Sequence, residues 1–321
     1  MYKGGLGLLF RPFILGDKTM RKHIKIFFTI LVVLALLLIG ASEYFLRFAL
    51  QPQLKHITQG EWVDSVMQHH LLRDTFVISQ ATGDSIHAWY LRADTITDKV
   101  AVLVHGYTDN ALWMGDIASI YDRQLHYNII LPDLHYHGLS KGDYVQMGWI
   151  DRLDVLQWCA LADSLFGGNT RQVLHGVSMG AATVMSVSGE PLPHYIKCFV
   201  EDCGYTSVWD EFSNELRSQF SLPPFPLMHT TNMWCKLRLG WSFKEASPIS
   251  QVAKTDRPML FIHGDSDTFV NTEMVYRLYA AKHGKKHLWI AKGTQHARAY
   301  HDHPEEYTTK VCKFVEKSIL R

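Results

Sequence analysis

Short apolar runs alternate with stretches of helical spacing over most of the chain after residue 74. Two runs separated by the turn QATGD, TFVIS and SIHAWYL, predict a pair of neighbouring strands. Six later runs are typical of strands buried on both faces of a sheet: VAVLVHG, YNIILPD, RQVLHG, IKCFVED, PMLFIHG and KHLWIA. Helical spacing follows at residues 151–166, 272–283 and 304–320. This order predicts an α/β fold, with a mostly parallel central sheet flanked by helices.

One segment interrupts the alternation of strands and helices. Residues from about 205 to 243 contain the sequence SLPPFP and three tryptophans, Trp209, Trp234 and Trp241, but no strand-like run. We therefore expect a small helical lid insertion that covers one end of the sheet, within a single domain that spans residues 51–321.

The N-terminal region, residues 1–50, carries the clearest targeting signal. Arg21, Lys22 and Lys25 precede an uncharged, almost wholly apolar run at residues 26–41, and we expect a membrane span at about 24–42. Its length lies between a signal-peptide core and a full span of about 17–25 residues. The bulky sequence SEYFLRFAL and a poor cleavage site favour a retained anchor. The preceding basic residues predict a domain outside the cytoplasm. Met20, followed by Arg-Lys-His, is an alternative start.

Composition excludes several function classes. With 321 residues, 47% hydrophobic and 20% charged, the chain is that of an ordinary globular protein. A net charge of +1 argues against a nucleic-acid partner held by phosphate neutralisation. The cysteines contain no Cys-x-x-Cys pair, and the histidine pairs His135/His137 and His301/His303 lack the spacing of a hydrolytic metal site. We therefore predict neither a metal nor a cofactor.

The sequence HGVSMG, at residues 175–180, places a serine where a strand should turn into a helix. Such a turn is tight, so the positions two before and two after Ser178 must be small, and both are glycine, Gly176 and Gly180. The backbone N–H of Met179 would then point at a developing oxyanion. The alternative is a serine that only caps the helix.

Three further loops supply what a nucleophilic serine needs. LVHGYTDN offers the backbone N–H of Tyr107 as a second oxyanion donor. LFIHGDSDTFV offers Asp267 as the carboxylate that orients a base, with Asp265 as the less favoured choice, and AKGTQHARAY offers His296 as that base. Each loop follows a predicted strand. The carboxyl ends of parallel strands meet at one edge of a sheet, so these groups should converge.

Together these motifs resemble the α/β-hydrolase superfamily, and more closely the membrane-anchored bacterial members of its serine-aminopeptidase-like and prolyl-oligopeptidase-like branch. The matching segments run from about Phe76 to the C-terminus: HGY, PDLHYHGLS, GVSMG, HGDSDTFV and His296-Ala297. In the sequence DLHYHG, His135 and Tyr136 replace the arginine and glycine of the Asp-x-Arg-Gly-His-Gly found in many relatives, which predicts a differently shaped loop. The resemblance implies a bacterial inner membrane, with the domain on its periplasmic or extracellular face.

The expected reaction is hydrolysis of a small-molecule or lipid-like carboxylic ester through an acyl-enzyme on Ser178, with His296 and Asp267 completing a triad. Two alternatives stay open. One is a peptidase or aminopeptidase, for which acidic residues would hold the substrate amine; the candidates are Glu201, Asp210, Glu211 and Glu215. The other is a non-catalytic binding module built on the same fold.

Aromatic residues of the insertion are candidates for the substrate pocket. Tyr205, Trp209 and Phe225 would line it, although the same residues would equally serve as the core of the insertion. Asp202 follows another predicted strand at the same edge of the sheet. It would either support Asp267 as an acid, cap the next helix or fix the lid.

Overall fold

The chain is described by a computed structural model for residues 18–54, 60–69 and 71–320. The segment before residue 18, which includes most of the sequence ahead of the alternative start at Met20, lies outside the described residues.

The described residues contain a single eight-stranded sheet, in the order β1-β2-β4-β3-β5-β6-β7-β8. Its strands are β1 Arg73–Ile78, β2 Ser85–Leu91, β3 Lys99–Val104, β4 Asn128–Pro132, β5 Arg171–Val177, β6 Ile196–Asp202, β7 Met259–Gly264 and β8 Lys286–Ala291. β2 is antiparallel to β1 and β4, and the remaining neighbours are parallel. All eight predicted runs form strands, so the predicted α/β fold is confirmed.

Burial explains why the apolar runs mark the central strands. Residues 100–104 of β3 are completely buried, because helices cover both faces of the sheet at this position. The edge strand β1 instead alternates between exposed and half-buried positions. Burial on both faces is therefore confined to strands inside the sheet. The prediction was wrong for KHLWIA, because this run forms the other edge strand, β8, which is only partly buried.

Helices cover both faces. They are α1 Lys18–Leu50, α2 Glu61–Gln68, α3 Gly115–Ser119, α4 Asp151–Leu165, α5 Met179–Ser188, α6 Val208–Phe220, α7 Leu227–Leu239, α8 Pro248–Val252, α9 Glu273–Ala281, α10 Ala299–Asp302 and α11 Pro304–Ile319. One core cluster contains Trp158 and Phe199, and the other contains Tyr121 and Tyr307. The three predicted helical stretches form α4, α9 and α11.

The predicted insertion, residues 205–243, contains α6 and α7. Ser207 caps α6, because its Oγ accepts a hydrogen bond from the backbone N–H of Asp210 at 3.0 Å. α7 ends at Gly240, whose φ of 79° a glycine adopts without strain. "The insertion" refers to these residues below.

α1 is one continuous helix of 33 residues that extends well beyond the apolar run at residues 26–41. Residues 20–37 are exposed, and by length and composition the helix can cross a membrane. Its last turns behave differently, because Ser42, Leu46 and Leu50 are buried against the rest of the domain. The helix therefore reaches from a candidate membrane span directly into the domain core.

Candidate active site

Ser178 lies at the tight turn between β5 and α5. Its φ of 58° and ψ of −118° are an unfavourable conformation for a residue with a Cβ. The turn is held by the Ser178 N–H, which donates to Asp202 O at 2.8 Å, and by the Ser178 carbonyl, which accepts from the Ala182 N–H at 3.0 Å. The side chain makes no capping hydrogen bond to α5. The simple helix-cap interpretation therefore does not describe this serine.

The flanking glycines permit the close approach that this turn requires. A Cβ on Gly176 would lie 2.1 Å from the carbonyl oxygen of Gly180, and one on Gly180 would lie 2.0 Å from the carbonyl oxygen of Val104. Both contacts are with backbone, which cannot move aside. Glycine is needed at both positions because the helix start packs directly on β3 and β5.

Three side chains predicted from separate loops form one hydrogen-bonded chain. Ser178 Oγ lies 2.8 Å from His296 Nε2, and His296 Nδ1 lies 2.7 Å from Asp267 Oδ2. Because Nδ1 faces a carboxylate, the proton belongs on Nδ1, and Nε2 is left to accept from the serine hydroxyl. The imidazole is therefore oriented to take the hydroxyl proton.

Asp267 is held firmly in its ionised form. Its Oδ1 accepts from the backbone N–H groups of Phe269 and Val270, both at 3.0 Å. Burial opposes the charge, but hydrogen bonds and charge from His263 and His296 hold the pKa of Asp267 below its ordinary value. Asp265, the less favoured choice, is exposed and instead accepts from the Gly293 N–H at 2.7 Å.

The two predicted oxyanion donors lie next to the serine. Tyr107 follows Gly106, whose Cβ position would be 3.5 Å from Ser178 Cβ, and Met179 is the next residue after Ser178. Neither the Tyr107 nor the Met179 backbone N–H donates to any group among the described residues. The Tyr107 hydroxyl donates to the carbonyl of Ala49 in α1 at 2.8 Å, which fixes the loop. The oxyanion role itself stays a prediction.

A mostly apolar cavity of about 500 Å³ opens beside Ser178. Aromatic side chains from α1 and from the insertion contribute to its wall: Phe45, Phe48, Tyr205, Phe212, Phe220 and Phe243. No lysine or arginine of the described residues lines it. The size and lining are those of a site for a small, largely hydrophobic ligand.

The structure corrects two of the three predicted pocket residues. Tyr205 lies on the wall, but Trp209 and Phe225 do not. Trp209 is half-buried, packs against the ring of His229 at 5.0 Å and lies under the Lys244 ammonium. Phe225 is 72% exposed. The wall instead takes every fourth residue of α6, Phe212, Leu216 and Phe220, a helical spacing that was visible in the sequence.

Two acidic side chains of α6, Glu211 and Glu215, also line this cavity. Glu211 is only 3% exposed, and neither of its carboxyl oxygens has a hydrogen-bond partner among the described residues. Burial, supported by the nearby charges of Glu215 and Asp267, raises the pKa of Glu211 well above its ordinary value. Burial in the cavity therefore favours the neutral form of this carboxyl group.

The histidines of the unusual DLHYHG loop are used structurally. His135 Nδ1 lies 2.8 Å from Asp154 Oδ2, and its Nε2 lies 2.8 Å from Thr82 Oγ1. Burial opposes its charge, but Asp151 and Asp154 raise the pKa of His135 to about 10. His135 therefore supplies a buried cation where many relatives carry arginine.

His137 is neutral instead. Its Nε2 accepts from the Thr108 N–H at 3.2 Å, so its Nδ1–H donates to His135 O at 2.7 Å. Burial and the neighbouring His105 lower the pKa of His137 to about 3.

Within the described ranges, three metal-ligating side chains come together at Cys203, Asp267 and His296. A metal there would break the bond between Asp267 and His296, so this grouping fits the hydrogen-bonded chain better than a metal site.

A buried polar chain beneath the serine was missed in the sequence. Tyr307 in α11 donates to Asp202 Oδ2 at 3.0 Å and accepts from His175 Nε2 at 2.9 Å, and Tyr121 bonds His175 Nδ1 at 3.0 Å. Burial raises the pKa of Asp202 to about 6, although the Tyr307 hydrogen bond opposes this shift. The backbone carbonyl of Asp202 therefore holds the turn at Ser178, and its side chain holds α11. The residue that caps the next helix, α6, is Ser207.

A mostly parallel sheet with a serine at a strand-to-helix turn defines the α/β-hydrolase fold. The model of the prolyl oligopeptidase family matches residues 135–320, more than half of the chain. The chain belongs to the prolyl oligopeptidase family, and it is a serine hydrolase.

Individual proteins are similar to this chain in sequence or in fold. The uncharacterized protein YqkD of Bacillus subtilis (strain 168) is 28% identical over 244 residues, which cover 76% of this chain and 79% of that protein. A structure of the Pyrococcus furiosus esterase Pf2001 shares 22% identity at a TM-score of 0.64 and covers 82% of this chain and 99% of that chain. A structure of the Pyrococcus horikoshii acylaminoacyl peptidase shares 14% identity at a TM-score of 0.58. The match covers 80% of this chain and 44% of that chain. At these identities the two structures show the fold alone.

Proposed function

We propose that this serine hydrolase cleaves a carboxylic ester, with Ser178 as nucleophile, His296 as general base and Asp267 as the residue that orients the base. The observation that carries the proposal is the hydrogen-bonded chain from Asp267 through His296 to Ser178, which ends at the apolar cavity.

In the proposed mechanism each residue has one role. His296 Nε2 takes the proton of Ser178 Oγ as the oxygen attacks the ester carbonyl, and Asp267 stabilises the imidazolium that forms. The N–H groups of Tyr107 and Met179 stabilise the tetrahedral oxyanion, at roughly 3 kcal/mol for each donor. His296 then returns its proton to the leaving alcohol. Water, activated by the same imidazole, hydrolyses the acyl-enzyme.

The cavity favours an ester with an apolar acyl group. Its wall is mostly aromatic and aliphatic, and burial favours the neutral form of Glu211, so a hydrophobic group enters at little electrostatic cost from this residue. The proteins with a similar fold include both an esterase and an acylaminoacyl peptidase, so the fold alone does not choose between the two bonds.

The proposal is tested by labelling the purified full-length protein with a fluorophosphonate probe. We expect Ser178 to be labelled, and p-nitrophenyl esters to be turned over faster than aminoacyl-p-nitroanilides. Ser218→Ala, which changes an exposed serine of α6, is the matched control and should be labelled like the wild type. A wild-type protein that is neither labelled nor active on any substrate would instead support the binding-module alternative.

One observation favours a second function, an aminopeptidase. Glu211 has no hydrogen-bond partner among the described residues, and Glu215 lies one turn further along α6, so a substrate ammonium could replace the proton on Glu211. Glu211→Gln removes that option while keeping the size of the side chain. Under the ester proposal, the ratio of ester to aminoacyl-anilide turnover should change by less than about threefold, since one neutral group replaces another.

The contrary result is a selective loss on the anilide. A fall of about tenfold or more in anilide turnover alone would assign an amine-binding role to Glu211. Glu316→Gln, on the exposed face of α11, is the matched control, and both variants are measured by kcat/KM on the two substrates.

We also propose that α1 is a retained membrane anchor and that the hydrolase domain lies outside the cytoplasm. The exposed apolar residues 26–37 and the preceding Arg21, Lys22 and Lys25 support this orientation.

A further inference from the structure

The wall of the cavity beside Ser178 is partly built by the candidate anchor helix. Phe45, Phe48 and Ala49 of α1 line the same cavity as Ser178 and Met179. At about 1.5 Å per residue, Phe45 stands only about 6 Å beyond the end of the apolar run at residue 41. The cavity therefore begins within about one helical turn of the segment that fits the bilayer.

The length of α1 fits both tasks. A helix of 33 residues is about 50 Å long, whereas the hydrocarbon core of a bilayer is about 30 Å thick. About 20 residues therefore suffice for the span, and the residues that line the cavity lie in the remaining part. This remaining part of α1 would lie at the interface between the bilayer and water.

The last turns of α1 are fastened to the insertion. Ser42 Oγ donates to Thr230 Oγ1 at 2.9 Å, and Trp234 Nε1 donates to Glu43 Oε2 at 2.7 Å. The ring of Phe220 in α6 packs edge-on against Phe45 at 5.0 Å and Phe48 at 5.4 Å. The helix end is thus a fixed wall of the cavity and not a loose tether.

A second contact links α1 to the reacting end of the cavity. The Tyr107 hydroxyl donates to the carbonyl of Ala49, and the Val145 N–H donates to the carbonyl of Leu50, both at 2.8 Å. The same Tyr107 carries one of the proposed oxyanion donors. The end of the anchor helix is therefore placed against the position where the acyl carbonyl would react.

Apolar side chains also face outward on the insertion next to α1. Leu222, Phe225, Met233 and Leu237 are exposed, and Met233 and Leu237 are four residues apart on α7, the helix that packs along α1. Exposed apolar residues beside a membrane span are stabilised by contact with the lipid interface. They continue the apolar surface of α1 onto the domain.

We propose that the cavity takes the acyl chain of an ester that resides in the bilayer, and that the last turns of α1 form part of this acyl-binding site. The inference rests on the proposed ester hydrolysis and names its substrate class, a long-chain amphiphilic ester supplied by the membrane. Specificity for the acyl chain is then set jointly by the anchor and by the hydrolase domain.

The test uses the full-length protein in vesicles of diether phosphatidylcholine, a host lipid without a hydrolysable acyl ester. p-Nitrophenyl palmitate is dissolved in these vesicles, and p-nitrophenyl butyrate is supplied in water. Rates are divided by the number of Ser178 sites that a short-chain fluorophosphonate labels. We expect the palmitate rate to follow the mole fraction of ester in the bilayer at constant bulk concentration. A rate that follows bulk concentration alone would overturn the inference.

A pair of variants tests the wall itself. The double variant Phe45→Ala/Phe48→Ala should lower kcat/KM for the palmitate ester at least about tenfold more than for the butyrate ester, since each lost methylene contact is worth roughly fourfold. Leu36→Ala, an exposed apolar residue of α1 outside the cavity, is the control and should leave that ratio within about twofold of the wild type.

The outcomes separate the two proposals. Equal losses on both esters, with Ser178 still labelled, would overturn the acyl-site inference and leave ester hydrolysis in place. If Ser178 is not labelled and butyrate is not hydrolysed, both proposals fail together. Where the double variant does not fold, the dependence of the wild-type rate on mole fraction still tests the supply of substrate from the bilayer, and the single variants Phe45→Ala and Phe48→Ala test the α1 wall by the same ratio.

Discussion

Replacement of Ser178 by alanine is expected to lower kcat for the preferred ester by roughly 10⁴- to 10⁶-fold. The hydroxyl that forms the acyl-enzyme is lost, and only binding and oxyanion stabilisation remain. His296→Ala should cost about as much, because without the imidazole the serine cannot lose its proton. The double variant should be little worse than either single variant, since the two residues act as one unit. Steady-state ester hydrolysis with active-site titration measures all three.

Two features of this experiment keep it decisive. Ser178→Ala removes a single oxygen that borders the cavity, so the free energy of unfolding should change little, which urea denaturation checks. The control Ser218→Ala should keep full activity. A Ser178→Ala protein that retains more than about a hundredth of the wild-type kcat would disprove the nucleophile assignment.

The second large effect is expected on stability, from His135. Replacing it by glutamine removes the buried cation that neutralises Asp151 and Asp154, and both carboxylates are themselves buried. Breaking a buried charge pair in this way costs about 3–5 kcal/mol. We therefore expect His135→Gln to lower the free energy of unfolding by that amount near neutral pH. His301→Gln, which changes an exposed histidine, should have almost no effect.

The pKa of His135 predicts how its contribution to the free energy of unfolding changes with pH. The folded pKa of His135 is about 10, raised above its ordinary 6.5 by Asp151 and Asp154 against the opposing effect of burial. Its contribution to stability is therefore fully present below about pH 6.5 and is lost as pH rises through about 10. The stability gap between wild type and His135→Gln should shrink over this range. A gap that is constant in urea denaturation from pH 6 to 10 would show that His135 is uncharged in the fold.

Much of the fold follows from local chemistry that the sequence displays directly. Strands β3 to β7 are visible as short apolar runs because burial on both faces favours apolar residues. The loops that follow them carry Ser178, Asp267 and His296, and parallel strands bring their carboxyl ends to one edge. The glycines at 176 and 180 were equally readable, because a tight strand-to-helix turn excludes a Cβ whatever surrounds it.

Other features depend on contacts between residues far apart in the chain. Asp151 and Asp154 on α4 stabilise the charged form of His135, and the sequence DLHYHG does not indicate this contact. Tyr307 reaches Asp202 only because α11 packs across the sheet. Such pairs become neighbours through tertiary packing, so the sequence contains the residues but not the distances.

The cavity is the clearest case of this division. The sequence by itself determined the α/β fold, the turn at Ser178 and an apolar N-terminal helix, because each rests on the spacing of residues within one element. From the sequence we predicted a domain boundary at residue 50 and placed Trp209 and Phe225 in the pocket. Only the tertiary structure decided that the wall comes from Phe45 and Phe48 of α1 together with α6. The physical reason is that a cavity is the space left between packed elements, and no single element encodes its shape.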